Sequence, residues 1–116
     1  MIYDRLVEVF KLDTASSPLS RRLVLRSAHF YAPRTVYHRT YFQAVQAGET
    51  IDRMLQIPAP AADPPDATMY AVPEDGQVYR IREVQLAEDE NGLPVINLSL
   101  HREEARYDRF RPVVGA

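Results

Sequence analysis

Cysteine is absent, lysine occurs once, at Lys11, and no apolar run approaches the length that spans a membrane. Each absence removes a class of protein. Without cysteine there is neither a disulfide framework nor a thiolate zinc site, and redox chemistry gives no hint of compartment. Without a run of ~20 apolar residues there is no candidate transmembrane helix. The opening Met1-Ile2-Tyr3-Asp4 does not have the layout of a signal peptide, so synthesis in the cytosol is the expectation. Positive charge is not in surplus either. The 14 basic and 16 acidic groups leave a formal net charge of -2, which argues against a nucleic-acid reader that depends on phosphate neutralisation. All but one of the basic groups are arginine, a bias that reads first as genomic codon usage and second as suiting contact surfaces, where a planar fork outperforms a point charge.

With 116 residues the chain is long enough for one core and too short for a second lobe. The most regular part is Met69 to Arg102, which reads as three antiparallel strands joined by two tight turns, Asp75-Gly76 and Asn91-Gly92. Such dipeptides predict type I′ turns, with positive φ at both central residues. Within Gln77 to Leu86 the alternation changes phase near Arg82-Glu83, where a β-bulge is expected. From Pro94 to Arg102 the alternation predicts Ile96, Leu98 and Leu100 on a core face, with Asn97, Ser99 and His101 facing solvent.

Upstream, Ile2 to Leu12 and Arg21 to Tyr31 read as a strand pair around a polar turn at 13–20, and Thr50 to Ile57 as a third strand. The expected fold is all-β: one small antiparallel barrel or sandwich over 1–104, followed by a C-terminal tail at 105–116. Its core is predicted to include Val24, Ile51, Leu55, Ile57, Tyr79, Ile81, Ile96, Leu98 and Leu100. Two connections stand out. Residues 32–48 form a long irregular loop, with Thr40 placed to cap a short helix over Tyr41 to Ala47 that Gly48 ends. Residues 58–66 form a connector that holds four of the chain's nine prolines.

No catalytic constellation emerges. His29, His38 and His101 do not fall at zinc-motif spacing, and Asp63, Asp66, Glu74 and Asp75 lack calcium-loop spacing. Ser16, Ser17 and Ser20 lie in a polar turn without a nucleophile-elbow context, and there is no phosphate loop. The expectation is therefore a protein with no enzymatic activity, no metal and no cofactor. Binding has better material. Tyr31, Tyr37, Tyr41 and Phe42 alternate with Arg34, His38 and Arg39, the mixture that serves a protein interface or, as the alternative, a single-stranded nucleic-acid-binding barrel that stacks bases. The expected contact residues are Tyr31, Arg34, Tyr37, Arg39, Tyr41, Phe42 and Gln43; Asp75, Gly76, Asn91 and Gly92 are expected to be structural turn residues. The rings have no period that would seat them in the subunit's own core, so the segment is expected to become ordered on partner contact.

In order along the chain, TYFQAVQAG at 40–48, the strand at 52–57, MYAVPEDGQVYRIREVQ at 69–85 and LSLHREEARYD at 98–108 resemble the small head-tail adaptor, or head-closure, proteins of tailed bacteriophages and prophages. The likeness covers most of the chain. It rests on Tyr41, Phe42, Gln43 and Ala44 in an aromatic loop, and on Asp75, Gly76, Val78, Tyr79 and Ile81 in a turn and strand. The proline-rich connector departs from the polar one usual there. The resemblance implies a β-barrel virion protein that assembles as a ring in the phage neck, after synthesis in the host cytoplasm. Implied partners are other copies of itself, the portal or connector protein and a tail-terminator or tail-completion protein. Packaged DNA would pass in the channel without sequence recognition, and the 32–48 loop would face the channel or a neighbouring subunit.

Overall fold

The computed structural model describes residues 3–13, 22–34, 51–59, 64–104 and 106–110. Its strands are β1 (Arg5–Leu12), β2 (Arg22–Arg34), β3 (Arg53–Pro58), β4 (Tyr70–Val72), β5 (Tyr79–Glu88), β6 (Pro94–Arg102) and β7 (Asp108–Phe110). They join in the order β1-β4-β5-β6-β3-β2-β7, and a further β1–β2 pairing closes six of them into an antiparallel ring. The all-β expectation is met, and β4, β5 and β6 are the anticipated meander.

The inside of the ring gathers Val7, Val9, Tyr31, Leu55, Ile57, Ala71, Ile81, Ile96, Leu98 and Leu100, supplied by every strand of the closed set. These are mostly β-branched or aliphatic residues at alternate positions, the chemistry that fits one face of a pleated sheet. Each valine, leucine and isoleucine among them contributes about 1.5–3 kcal/mol on transfer from water. Ile51 and Tyr79 are also buried, as expected.

Val24 is a correction, because it is only partly buried while its neighbour Leu23 is fully buried. Val24 pairs with Lys11, beyond Val9, the last residue of β1 in the ring's core, while Leu23 packs on the other side with Phe10, Val72 and Val78. The same pair of strands carries a bulge. Val9 pairs with Ser27 but Phe10 pairs with Leu25, so Arg26 is the extra residue on β2 and the two sides of the strand exchange there. Before the bulge Leu23 and Leu25 face outward with Phe10 and Leu12; after it Ala28 and Phe30 take that side and Tyr31 points in. The second bulge is the one anticipated on β5: Ile81 pairs with Leu100 and Glu83 with Ser99, leaving Arg82 as the extra residue.

Three further expectations change. The β6 face expected in solvent is covered, since Asn97 and Ser99 are buried together with Gln56 on β3. Gln56 donates to Tyr3 Oη at 2.8 Å, whereas Asn97 Oδ1 finds no partner among the described residues. Ala32 to Arg34, assigned above to the irregular loop, continue β2 and pair with Gln56, Leu55 and Met54. Finally, neither turn is type I′, because among the described residues only Gly76 and Gly92 have positive φ, each at 75°. In both, the glycine is the fourth residue of the turn: Gly76 N donates to Pro73 O at 3.1 Å and Gly92 N to Asp89 O at 3.0 Å. The expected helix at 41–47 and most of the proline-rich connector lie outside the described residues.

The segment 106–110, which the pattern leaves as a tail, belongs to the sheet. β7 runs parallel to the start of β2, with Arg22, Leu23 and Val24 opposite Asp108, Arg109 and Phe110. Tyr107 packs on Tyr70 with ring centroids 5.3 Å apart. Together they cover a second, outer cluster of Phe10, Leu23, Val72 and Val78.

Candidate functional site

Arg53 opens β3 with the same inward parity as Leu55 and Ile57, which puts a guanidinium at the mouth of the ring. It lies over two phenol rings, 5.9 Å from the centroid of Tyr31 and 5.8 Å from that of Tyr79. Its Nη2 donates to Tyr31 Oη at 3.0 Å and its Nη1 to Asp75 Oδ2 at 3.3 Å. The Tyr31 hydroxyl donates to Glu74 Oε2, and Tyr79 Oη donates to Asp75 Oδ2 at 2.9 Å. Arg5 reaches Glu74 Oε1 at 3.4 Å from the other side. Two carboxylates of one turn are thus held by two phenols and two guanidiniums.

The titration of these groups shows what the cluster can do. Burial, then the hydrogen bond to Glu74, raises Tyr31 above the ordinary phenol value, and burial with the Asp75 contact raises Tyr79. Burial works against the Glu74 carboxylate, but the Tyr31 hydrogen bond and the charges of Arg53 and Arg5 outweigh it and hold the group below its usual range. Arg53 is likewise penalised by burial, yet its contacts with Tyr31, Tyr79 and Glu74 raise it further. All four shifts move away from neutrality. A general acid or base needs the opposite, a value near working pH. The mouth cluster is a clamp on the 73–76 turn.

Other polar contacts are simpler. Ser27 Oγ lies 2.9 Å from His29 Nε2, two residues along one strand face. His101 Nδ1 lies 3.4 Å from Asp52 Oδ2, which also accepts the Arg102 N–H at 2.7 Å. Among the described residues no three histidine, aspartate or glutamate side chains gather where a metal ion could sit. No helix among them is long and apolar enough to cross a membrane.

Of the expected contact residues, Tyr31 is fully buried in the barrel's own core, so in this subunit its ring is not offered to a partner. Arg34 ends β2 half-buried and donates to Gln56 Oε1 at 3.3 Å. Tyr37, Arg39, Tyr41, Phe42 and Gln43 lie outside the described residues. Asp75, Gly76, Asn91 and Gly92 sit in turns as expected, with Asp75 and Asp89 carboxylates accepting N–H groups two residues on.

The structure instead exposes large apolar side chains that the pattern did not single out. Leu6 and Phe30 are directly opposite each other on the outer face of β1 and β2, at 46% and 60% exposure, and Leu86 and Leu93 flank the β5–β6 turn at 78% and 59%. Leu6 also floors a groove of about 440 Å³ with Glu8, Val72, Pro73, Glu74, Gly76 and Arg109. The β2 bulge that turns Tyr31 inward is what turns Phe30 out. No known family model matches the chain, and no curated protein matches it significantly.

Proposed function

We propose that this protein is a structural subunit of the phage neck, which assembles as a ring between portal and tail and helps close the filled head. The reading comes from the order of the adaptor-like segments along the chain, and it is a reading by resemblance. One structural observation supports it. The titratable cluster at the barrel mouth is committed to holding a turn, whereas Leu6, Phe30, Leu86 and Leu93 are exposed on two separate surfaces, as suits a subunit that bonds to neighbours. The net charge of -2 is compatible with DNA that slides past without sticking.

The test is assembly. Mixed with the portal and tail-end proteins of its own phage, the chain is expected to form rings on the portal in negative-stain images. Replacing both Tyr41 and Phe42 with alanine is expected to leave the subunit folded and to yield DNA-filled heads without tails, or heads that leak. Normal tailed particles from that double variant count against the loop as the contact. Tight, salt-sensitive binding of single strands with no portal binding would replace the whole reading with the nucleic-acid one.

A further inference from the structure

Asn91 and Asn97 are the chain's only asparagines. Asn97 is buried in β6 and is followed by Leu98. Asn91 is exposed at the β5–β6 turn and is followed by Gly92, where nothing stands within 4 Å of the place a Cβ would take. The two glycine turns share one backbone: in each, Asp75 or Asn91 is the third residue, the glycine is the fourth at φ 75°, and its N–H donates to the carbonyl of the first. Their side chains differ. The Asp75 carboxylate is engaged on both oxygens, accepting from Gln77 N at Oδ1 and from Tyr79 Oη and Arg53 Nη1 at Oδ2. Among the described residues Asn91 is held by its main-chain N–H alone, which donates to Asp89 Oδ1 at 2.8 Å, and its carboxamide is free. The hairpin end that carries it also has less support, since among the described residues β4 pairs with β5 only at Tyr79 and Arg80.

We propose that Asn91 is a site of spontaneous deamidation, a covalent modification that makes this exposed tip a record of the protein's age. The Gly92 nitrogen gives up its proton to hydroxide and attacks Asn91 Cγ. As the new N–Cγ bond forms the Cγ–Nδ2 bond breaks, the carboxamide nitrogen takes a proton from water and leaves as ammonia, and a succinimide ring remains. Water then opens the ring: at Cγ it leaves aspartate on an unchanged backbone, and at the main-chain carbonyl it leaves isoaspartate, whose backbone runs through Cβ and Cγ. A side chain at position 92 would crowd the closing ring, and glycine has none. Attack requires the Gly92 N–H to leave Asp89 O, so opening of the turn sets the rate, and an exposed hairpin tip opens at little cost. The clamp keeps Asp75 from the corresponding cyclisation. At Asn91 either product places a new carboxylate beside Glu88, Asp89 and Glu90 and adds one negative charge to the net charge of -2. The step needs no partner, so it stands or falls independently of the neck reading.

Incubated at mildly alkaline pH and body temperature, the purified chain is expected to release ammonia and gain the mass that separates OH from NH2. Fragmentation after cleavage at arginine is expected to place the change at Asn91, with Asn97 unchanged in the same 83–102 peptide and no isoaspartate at Asp75. Labelling by an isoaspartyl methyltransferase is the second readout, because it esterifies the isoaspartate product and not the parent. The rate is expected to rise in proportion to hydroxide and to lie within about tenfold of that of the free peptide 86–95, as a tip of low opening cost requires. Asp89→Ala, which releases the Asn91 and Leu93 N–H groups, is expected to bring the rate closer to the peptide's. A rate in the folded chain slower than that tenfold margin overturns the proposal, as does modification at Asn97 or Asp75 as fast as at Asn91. An Asp89→Ala chain that reacts no faster than the parent overturns the turn's opening as the gate.

Discussion

Strand β5 is two different structures on either side of Arg82. Over Tyr79 to Ile81 it lies between β4 and β6, and both Tyr79 and Ile81 are buried. Over Glu83 to Glu88 it keeps β6, pairing Val84 with Leu98 and Leu86 with Ile96, yet Leu86 is 78% exposed. The cross-strand partner is buried in each case, so pairing does not explain the difference. Alternation chooses which side a residue faces; a second neighbour along the edge decides whether that side is covered. Up to Val84, which still packs on the core, the strand is therefore an element of stability, and beyond it a surface.

The sharpest way to break this contrast is to truncate one side chain in each half. Ile81→Ala is expected to cost about 2–5 kcal/mol in denaturant unfolding, the range for a fully buried aliphatic residue. A loss near zero would mean that the first half is no more a core element than the second. Gly92→Val, at the far turn, is expected to cost about 1–2 kcal/mol, the left-handed penalty for a residue with a Cβ. A Cβ there meets nothing within 4 Å, so the cost is backbone strain alone. Amide-exchange protection is expected to fall around Glu88 and Pro94 and to persist at Tyr79 to Ile81; uniform loss would join the two halves into one unit.

The clamp at the mouth belongs to the first half through Tyr79, and pH tests it with a smaller effect. The lowered Glu74 carboxyl contributes stability that is fully present above roughly 4.3, the usual unfolded glutamate value, and is lost as pH falls through the folded-state value. The raised phenols of Tyr31 and Tyr79 act at the other end: their contribution is present below roughly 10 and is lost as pH rises through the folded-state values. Melting temperature should thus be flat across neutrality and fall at both ends. In Tyr31→Phe the acid limb should begin at higher pH, since the Glu74 hydrogen bond is gone; an unmoved limb would show that the arginines alone hold the carboxylate. Smallest of all, Leu86→Ala should change stability by no more than about 0.5 kcal/mol, and a cost like that of Ile81→Ala would erase the contrast.

Much of this was legible in the residue pattern. The strands β1 to β6, both glycine turns and the β5 bulge follow from alternation, Asp-Gly and Asn-Gly placement, and the phase change after Ile81. The β2 bulge was not legible, because Arg26 lies in a stretch where Leu23, Val24 and Leu25 allow either face to be the core. That ambiguity left Phe30 unnoticed, whereas Val24 was misplaced because its partner is Lys11, beyond the end of the core on β1. Tyr31 was misread for a related reason: a tyrosine beside a polar, aromatic segment looks like a contact residue, and only its placement opposite Glu74 and Arg53 shows that the hydroxyl is satisfied inside. The docking of β7 rests on a parallel pairing between the two ends of the chain, for which local pattern carries no signal.

That arrangement of pairs also sets the order in which the chain can become a protein. The β1–β2 and β5–β6 hairpins close over short loops, but the ring is completed by Glu8 meeting Val72 and by Arg53 meeting Leu100. Until the ribosome has released β6, β3 lacks one of its two neighbours, and until residue 110 has emerged the outer cluster lacks its cover. Contacts so distant in sequence must bear loop-closure entropy before they return any stabilisation, which places refolding in the millisecond-to-second regime of all-β domains.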